Sequence, residues 1–303
     1  MAYRSGTSYV LGEHETGYAA IPGLPELAAS FGLVPDPGLW GWGTIRTTRR
    51  DLSDLAAESV RGTLKAAGAE PSSVDALVLC STRIPGPADD HGIFMANLLT
   101  AAGLAGIPFY GQGLNRCANL LAAIDLANSF VVSGRYRRVL VVTVDAVAEG
   151  SAPMSQFALF SDGAASCLVA ADPGDDDSYE LLGCAVAHDT ATMDSASQIS
   201  SDLARVVNDR LLGPCGLTLG DVAALMHLNL FKPLLVMKER QAGFRDQQLY
   251  LGNISRIGHC FAADPLINLV DRVALGHVGE GRCCMLVASV PGSRIGVLLR
   301  KGR

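Results

Sequence analysis

Regular hydrophobic patterning begins at Asp51. Leu52, Leu55, Ala56, Ser59, Val60, Thr63, Leu64 and Ala67 recur at helical spacing, which predicts a helix closed at Gly68. Residues 74–80 are then apolar on both faces, as in a strand of a parallel sheet covered on each side. A loop with Pro85, Gly86, Pro87 and Gly92 leads to a second helix over about 91–103. Cys117 opens a third helix, with Leu120, Leu121, Ile124, Ala127 and Val131 on one face and Gly134 at its end. Residues 139–144 form the next buried strand, and 157–169 read as a strand pair around the turn Ser161-Asp162-Gly163-Ala164. The acidic run 172–178 reads as a solvated linker dividing the chain into halves 1–171 and 172–303.

The second half repeats the first. A helix over 200–212 leads into a strand over 221–227, a helix starts at 260–264, and 283–288 is again an apolar strand. Cys117 and Cys260 lie 42 and 39 residues after Asp75 and Asp221, and the later strands start 64 and 62 residues after them. Landmarks in such register point to an internal duplication, with two unrelated α/β runs of similar spacing as the alternative. Duplicated α/β units pack as equivalent halves, with a site converging between them.

Composition narrows the class. The chain has 303 residues, 49% of them hydrophobic, 33 glycines and few aromatics, which suits a tightly packed α/β enzyme and not a disordered chain. A net charge of −6 argues against nucleic acid as the main partner. No apolar run approaches the roughly 18 residues of a membrane span, and the first residues lack the pattern of a signal peptide. The expected setting is therefore the cytoplasm. The 8 cysteines include no Cys-x-x-Cys pair, so no metal site is expected, and most read as small buried hydrophobes.

Cys117 is the sharpest chemical candidate. A thiol at a helix start sees the positive end of the helix dipole, and nearby backbone N–H groups can hold an oxyanion. Taken alone, a cysteine is more often structural.

Several stretches in order resemble the thiolase superfamily, and within it the ketoacyl-acyl carrier protein synthase III type. They are Trp42-x-x-x-Arg46-Thr47, Ser53-Asp54-Leu55-Ala56, Asn115-Arg116-Cys117-Ala118-Asn119, Leu159-Phe160-Ser161-Asp162-Gly163-Ala164-Ala165, Met226-His227-Leu228-Asn229 and Gly258-His259-Cys260-Phe261-Ala262-Ala263. The resemblance implies a duplicated five-layered αβαβα α/β fold, a homodimer with a strand of the 139–144 type near its two-fold axis, and acyl transfer through a Cys117 thioester. His227 takes the place of the family's first histidine, although Asn229 follows at a shorter spacing than usual. Without the motif it would read as a satisfied core histidine.

His259 stands where ordinary synthase III enzymes carry asparagine. Imidazole can take a proton near neutral pH, and asparagine cannot. Asp264 is placed to orient the ring, giving a nucleophile, base and orienter, or else it caps the helix before Pro265. The substitution resembles a branch of secondary-metabolism acyltransferases that pass an acyl group to a hydroxyl, amine or carrier thiol without forming a carbon–carbon bond. A decarboxylating synthase is the alternative. Acyl carrier protein or coenzyme A thioesters are then substrates, with a small-molecule acceptor and no resident cofactor. By resemblance Trp42 and Arg46 sandwich the adenine of coenzyme A; otherwise Trp42 packs a loop. Arg135, Arg137 and Arg138 read as a carrier contact or, more simply, a solvated face.

Overall fold

The computed structural model describes residues 1–302 except 85, 175–177, 195–198 and 277. Part of the acidic run, the loop residue Pro85 and His277 thus lie outside the described residues. Among the described residues the strands are β1 (Ala2–Leu11), β2 (His14–Gly17), β3 (Thr44–Thr47), β4 (Ala76–Cys80), β5 (Phe109–Gln112), β6 (Arg138–Asp145), β7 (Gly163–Ala170), β8 (Tyr179–His188), β9 (Val222–Met226), β10 (Cys283–Val290) and β11 (Ser293–Lys301). The helices are α1 (Leu24–Ser30), α2 (Pro37–Trp40), α3 (Leu52–Ala66), α4 (His91–Ala101), α5 (Asn119–Val132), α6 (Ser201–Leu212), α7 (Lys232–Gln241), α8 (Gly252–Ile257) and α9 (Asp264–Ala274).

Nine strands form one ladder in the order β5-β4-β6-β7-β1-β8-β11-β10-β9. The duplication is visible in it. On one side β4 and β6 are parallel and β7 is antiparallel to β6 and β1; on the other β9 and β10 are parallel and β11 is antiparallel to β10 and β8. The two sides join where Ala2, Tyr3 and Arg4 pair with Leu181, Glu180 and Tyr179. Helices α5 and α9 touch strands of both sides and form the middle layer; α3 covers β1 and β7 outside, and α6 covers β8 and β11. The result is helix, sheet, helix, sheet, helix, the architecture implied by the resemblance. The core follows this layering. Leu120, Leu121 and Ile124 of α5 and Leu266, Ile267 and Leu269 of α9 meet Val141, Met226 and Leu286 from the inner sheet faces. Burial of such side chains contributes on the order of 2 kcal/mol each.

Gly6 shows how tightly the outer layer closes. It sits at the β1 bulge with φ 52°, and a Cβ there would lie 2.5 Å from the Thr63 carbonyl oxygen of α3. A side chain would push the helix off the sheet.

Two expectations need correction. Residues 157–169 are not a strand pair. Only Gly163–Ala170 is a strand, because Ser161 and Asp162 bind other loops: the Asp162 carboxylate accepts from the Thr48 and Val147 amides at 2.8 Å each. The strand 138–145 is also no candidate for a subunit boundary, since β4 and β7 flank it on both sides. The exposed edge of that half is β5.

Candidate active site

The nucleophile turn is built by backbone geometry. Arg116–Ala118 form one 3-10 turn before α5, and Arg116 has φ 51°, unusual for a residue with a side chain. The turn is held by Asn119, whose Oδ1 accepts from the Asn115 amide at 2.8 Å and whose Nδ2 donates to the Ser81 carbonyl at 2.8 Å. Cys117 is thereby presented, half-buried, at the start of α5. The second half repeats the device. Phe261–Ala263 form the same turn before α9, with Phe261 at φ 50°. Ala262, and not Cys260, is therefore the counterpart of Cys117. Cys260 is buried, and burial pushes its thiol well above the ordinary range.

His259 arrives from the second half. Gly258 at φ 67° brings the chain against residue 159, where a Cβ would lie 2.7 Å from the Leu159 carbonyl. The His259 amide donates to that carbonyl at 2.7 Å, and the His259 carbonyl accepts from the Ser161 amide at 2.9 Å. Phe160 and Phe261 flank the imidazole, with ring centroids 5.1 and 5.9 Å away. The ring is fully buried, and its Nδ1 pairs with Asp264 Oδ2.

Asp264 is not a helix cap. Besides the imidazole, its Oδ2 accepts from the Asn229 amide at 2.6 Å, while Oδ1 accepts from the Cys260 amide at 2.7 Å and Asn229 Nδ2 at 3.2 Å. Burial alone pushes the imidazole of His259 down. The Asp264 carboxylate and the Cys117 thiol overcome this and raise it to about 10. Nε2, the nitrogen turned away from Asp264, makes no complete hydrogen bond, and Cys117 is the group that acts on it. Sequence candidates Cys117, His259 and Asp264 thus converge.

His227 does not join them. It is buried, and its Nδ1 lies 2.7 Å from the Leu228 carbonyl, so Nδ1 carries the proton. Burial pushes this imidazole down despite that carbonyl, which keeps the ring neutral. It lines a void of about 10 Å³ beside the buried Arg294–Glu239 pair, and Leu228, Leu230, Leu234 and Ser289 line both that void and the cavity above Cys117.

Trp42 and Arg46 also depart from expectation. Trp42 is only 7% exposed and packs among Tyr18, Trp40 and Phe231. Arg46 is paired with Glu15. A buried indole and a neutralised guanidinium offer no open clamp for adenine. Arg137 pairs with Asp172, and Arg135 lies over the rings of Tyr110, Phe130 and Tyr136. No group of three or more metal-ligating side chains occurs among the described residues.

Sequence reading missed the supporting polar network. Asn268 Nδ2 donates to Asn229 Oδ1 at 3.0 Å and to the His227 carbonyl at 2.7 Å, and Asn253 Nδ2 donates to Asn268 Oδ1 at 2.8 Å. Asn268 lies one helical turn beyond Asp264, which is the signal that would have found it. Asp145 was also missed. It is buried at the end of β6, and its Oδ1 accepts from Ser81 Oγ at 2.9 Å and the Thr82 amide at 2.7 Å. Burial raises it to about 7 against those hydrogen bonds.

Above Cys117 and His259 lies a cavity of about 580 Å³. Its walls include Phe157, Leu228, Leu230, Leu234 and Val290, with Arg116, Gln156 and Ser289 as polar members. That volume is ample for an acyl chain or small acceptor.

The architecture is the thiolase fold. Residues 114–190 match the family described as 3-oxoacyl-[acyl-carrier-protein (ACP)] synthase III, and the chain is synthase III-like over that segment. Beta-ketoacyl-[acyl-carrier-protein] synthase III of Synechococcus elongatus is 33% identical over 135 residues, 44% of this chain and 37% of that protein. The enzyme of the same description from Roseobacter denitrificans is 32% identical over 127 residues, 40% and 37% of the two chains. These alignments span about two fifths of the length of the curated relatives. Solved structures match over nearly the whole fold. The 3-oxoacyl-[acyl-carrier-protein] synthase III of Aquifex aeolicus has a TM-score of 0.81 at 16% identity, covering 99% of this chain and 100% of that one. ChlB3, described as an acyltransferase, has a TM-score of 0.83 at 17% identity, covering 99% and 98%. Xanthomonas campestris OleA has 0.81 at 14%, covering 99% and 98%. No helix among the described residues is long and apolar enough to cross a membrane.

Proposed function

We propose that this protein is an acyltransferase. It takes an acyl group from acyl carrier protein or coenzyme A onto Cys117 and passes it to a hydroxyl, amine or carrier thiol, in natural-product biosynthesis. The observation that carries the reading is the His259 imidazole set between the Asp264 carboxylate and the Cys117 thiol.

The cycle closes on its own groups. His259 Nε2 holds the Cys117 proton in the resting pair, and the thiolate attacks the donor thioester carbonyl. The carrier thiolate leaves and takes the proton back from His259. Acylation removes the thiol that helped hold the imidazolium, so the imidazole is now a free base. It accepts the proton of the acceptor hydroxyl, amine or thiol as that atom attacks the acyl carbon. The Cys117 thiolate leaves, and the resting pair is restored. Asp264 fixes the tautomer throughout, keeping Nδ1 protonated and Nε2 available.

The relatives are named beta-ketoacyl-[acyl-carrier-protein] synthase III, and decarboxylative condensation to a carbon–carbon bond is the alternative reading. A charged imidazole–carboxylate pair at residue 259 favours proton transfer to and from an acceptor over the neutral donor pair that an enolate needs. The subunit is also proposed to dimerise through β5. That strand ends the ladder, and Phe109 and Leu114 beside it are 51% and 95% exposed.

Intact-protein mass after incubation with acyl thioesters tests the reading. An adduct lost in Cys117→Ala and kept in Cys260→Ala is expected. Labelling that survives Cys117→Ala, or carbon dioxide release coupled to a new carbon–carbon bond, refutes it.

A further inference from the structure

Arg116 lines the cavity beside Cys117 and has no part in the transfer just described. Its position is enforced. A left-handed backbone on a residue with a side chain costs on the order of 1 kcal/mol or more, and here the hydrogen bonds of Asn115 and Asn119 hold the turn that imposes it. One arm of the guanidinium, Nη2, donates to the Met193 carbonyl at 2.9 Å, which fixes the plane and leaves the other N–H groups of the fork uncommitted. Among the described residues no carboxylate pairs with it, whereas Arg46, Arg137 and Arg256 pair with Glu15, Asp172 and Asp271. An oriented, exposed cation with no carboxylate partner among the described residues thus stands at the rim of a largely apolar cavity within a net acidic chain. Guanidinium in such a setting selects a planar carboxylate.

The anion is not the carrier's phosphate. The phosphopantetheine arm places its phosphate about thirteen bonds from the thioester sulfur, roughly 15 Å when extended. Arg116 is the immediate neighbour of the residue that sulfur must meet. The charge it can reach is on the group being transferred.

We propose that the acyl group loaded on Cys117 carries a free carboxylate, held by Arg116, so that the donor is the half-thioester of a dicarboxylic acid. This rests on the acyl-enzyme reading of Cys117 and deepens it. An ion pair at that carboxylate stabilises the anion and opposes loss of carbon dioxide, so the acyl group is passed on whole.

The test compares initial rates of Cys117 acylation by intact mass with two coenzyme A thioesters of equal length, succinyl and butyryl. Wild type is expected to prefer succinyl by roughly 10- to 100-fold, the worth of one charge-assisted hydrogen bond or pair. In Arg116→Gln the ratio should collapse to within about threefold of one. Arg116→Lys should retain part of it. The ratio within one protein does not depend on the active fraction, so a partly folded variant still reports. Butyryl adducts without a succinyl preference in wild type, or a preference unchanged in Arg116→Gln, overturn the proposal and leave the acyl-enzyme reading standing. Absence of any Cys117 adduct with either thioester overturns both.

Discussion

Asp264→Asn removes one charge and almost no volume. The carboxylate accepts from four donors: the Asn229 amide and His259 Nδ1 at one oxygen, the Cys260 amide and Asn229 Nδ2 at the other. An asparagine has one acceptor and one donor end. If the amide nitrogen faces Cys260 and Asn229 Nδ2, donors oppose donors. If it faces His259, the imidazole must move its proton to Nε2, and the base toward Cys117 is gone. Either way two charge-assisted hydrogen bonds are lost, and breaking one partner of such a buried pair costs roughly 3–5 kcal/mol. Transfer to the acceptor should fall by about 10²–10⁴, the usual value of a general base. Rapid-quench mass spectrometry of the acyl-enzyme, followed by acceptor addition, measures that step alone. The pH dependence has a definite sign. The imidazole is raised from 6.5 to about 10, so the pair stabilises the folded protein fully below pH 6.5 and loses that contribution as pH rises toward 10. The stability gap between wild type and variant should therefore narrow over that range. Transfer within about threefold of wild type would refute the assignment of Asp264 as orienter.

Three further outcomes are expected. Asp145→Asn should flatten the fall in stability that wild type shows as pH rises from about 4 toward 7, because the buried carboxyl is raised to about 7 and binds a proton more tightly when folded; denaturant midpoints at pH 5 and 8 check this. The amide nitrogen can take the Oδ2 place, where only Thr143 Oγ1 lies near, at 3.5 Å. Trp42→Ala should cost about 3–5 kcal/mol in thermal unfolding and leave the KM for a coenzyme A donor unchanged, since the indole is a core group; a raised KM with little lost stability would restore the adenine clamp. Phe109→Lys on the β5 edge should shift sedimentation at micromolar concentration toward monomer, and a dimer that persists would place the interface elsewhere.

The helices and inner strands were legible because their burial is one-sided or complete, and hydrophobic spacing records that directly. α3, α4, α6 and β6 fall within a few residues of the sequence reading. Of the strands that escaped it, β1 has polar inward positions, whereas β11 also buries Ile295, Val297, Leu298 and Leu299. β1 buries Arg4, Ser5 and Thr7, and β11 buries Arg294, satisfied by the Tyr179 ring and by Glu239. β5 lies on an edge and shows no periodicity of apolar residues. At the site, Cys117 was readable from its place at a helix start, while His259 and Asp264 were reached through the resemblance. Asn229, Asn268 and Asn253 were not readable, since a buried amide looks in sequence like any surface amide until its partners are known. His227 and Trp42 were assigned by resemblance, and both side chains are buried.

The strand at the centre of the ladder has a consequence for how the chain acquires its shape. β1 precedes every other strand of the ladder in sequence, yet its neighbours are residues 163–170 and 179–181. During synthesis β1 must therefore wait for residues 163–170 and 179–181 before its edges are filled. Ordering contacts so remote in sequence is slow, and during the delay the emerging segment exposes unpaired backbone. The polar residues along β1 keep that waiting segment from being a sticky apolar edge, and the same buried Arg4 that hid the strand from hydrophobic patterning locks it once Tyr179 arrives. The nucleophile turn, complete in sequence by residue 119, acquires its base only when Gly258 and His259 have been delivered from the far end of the chain.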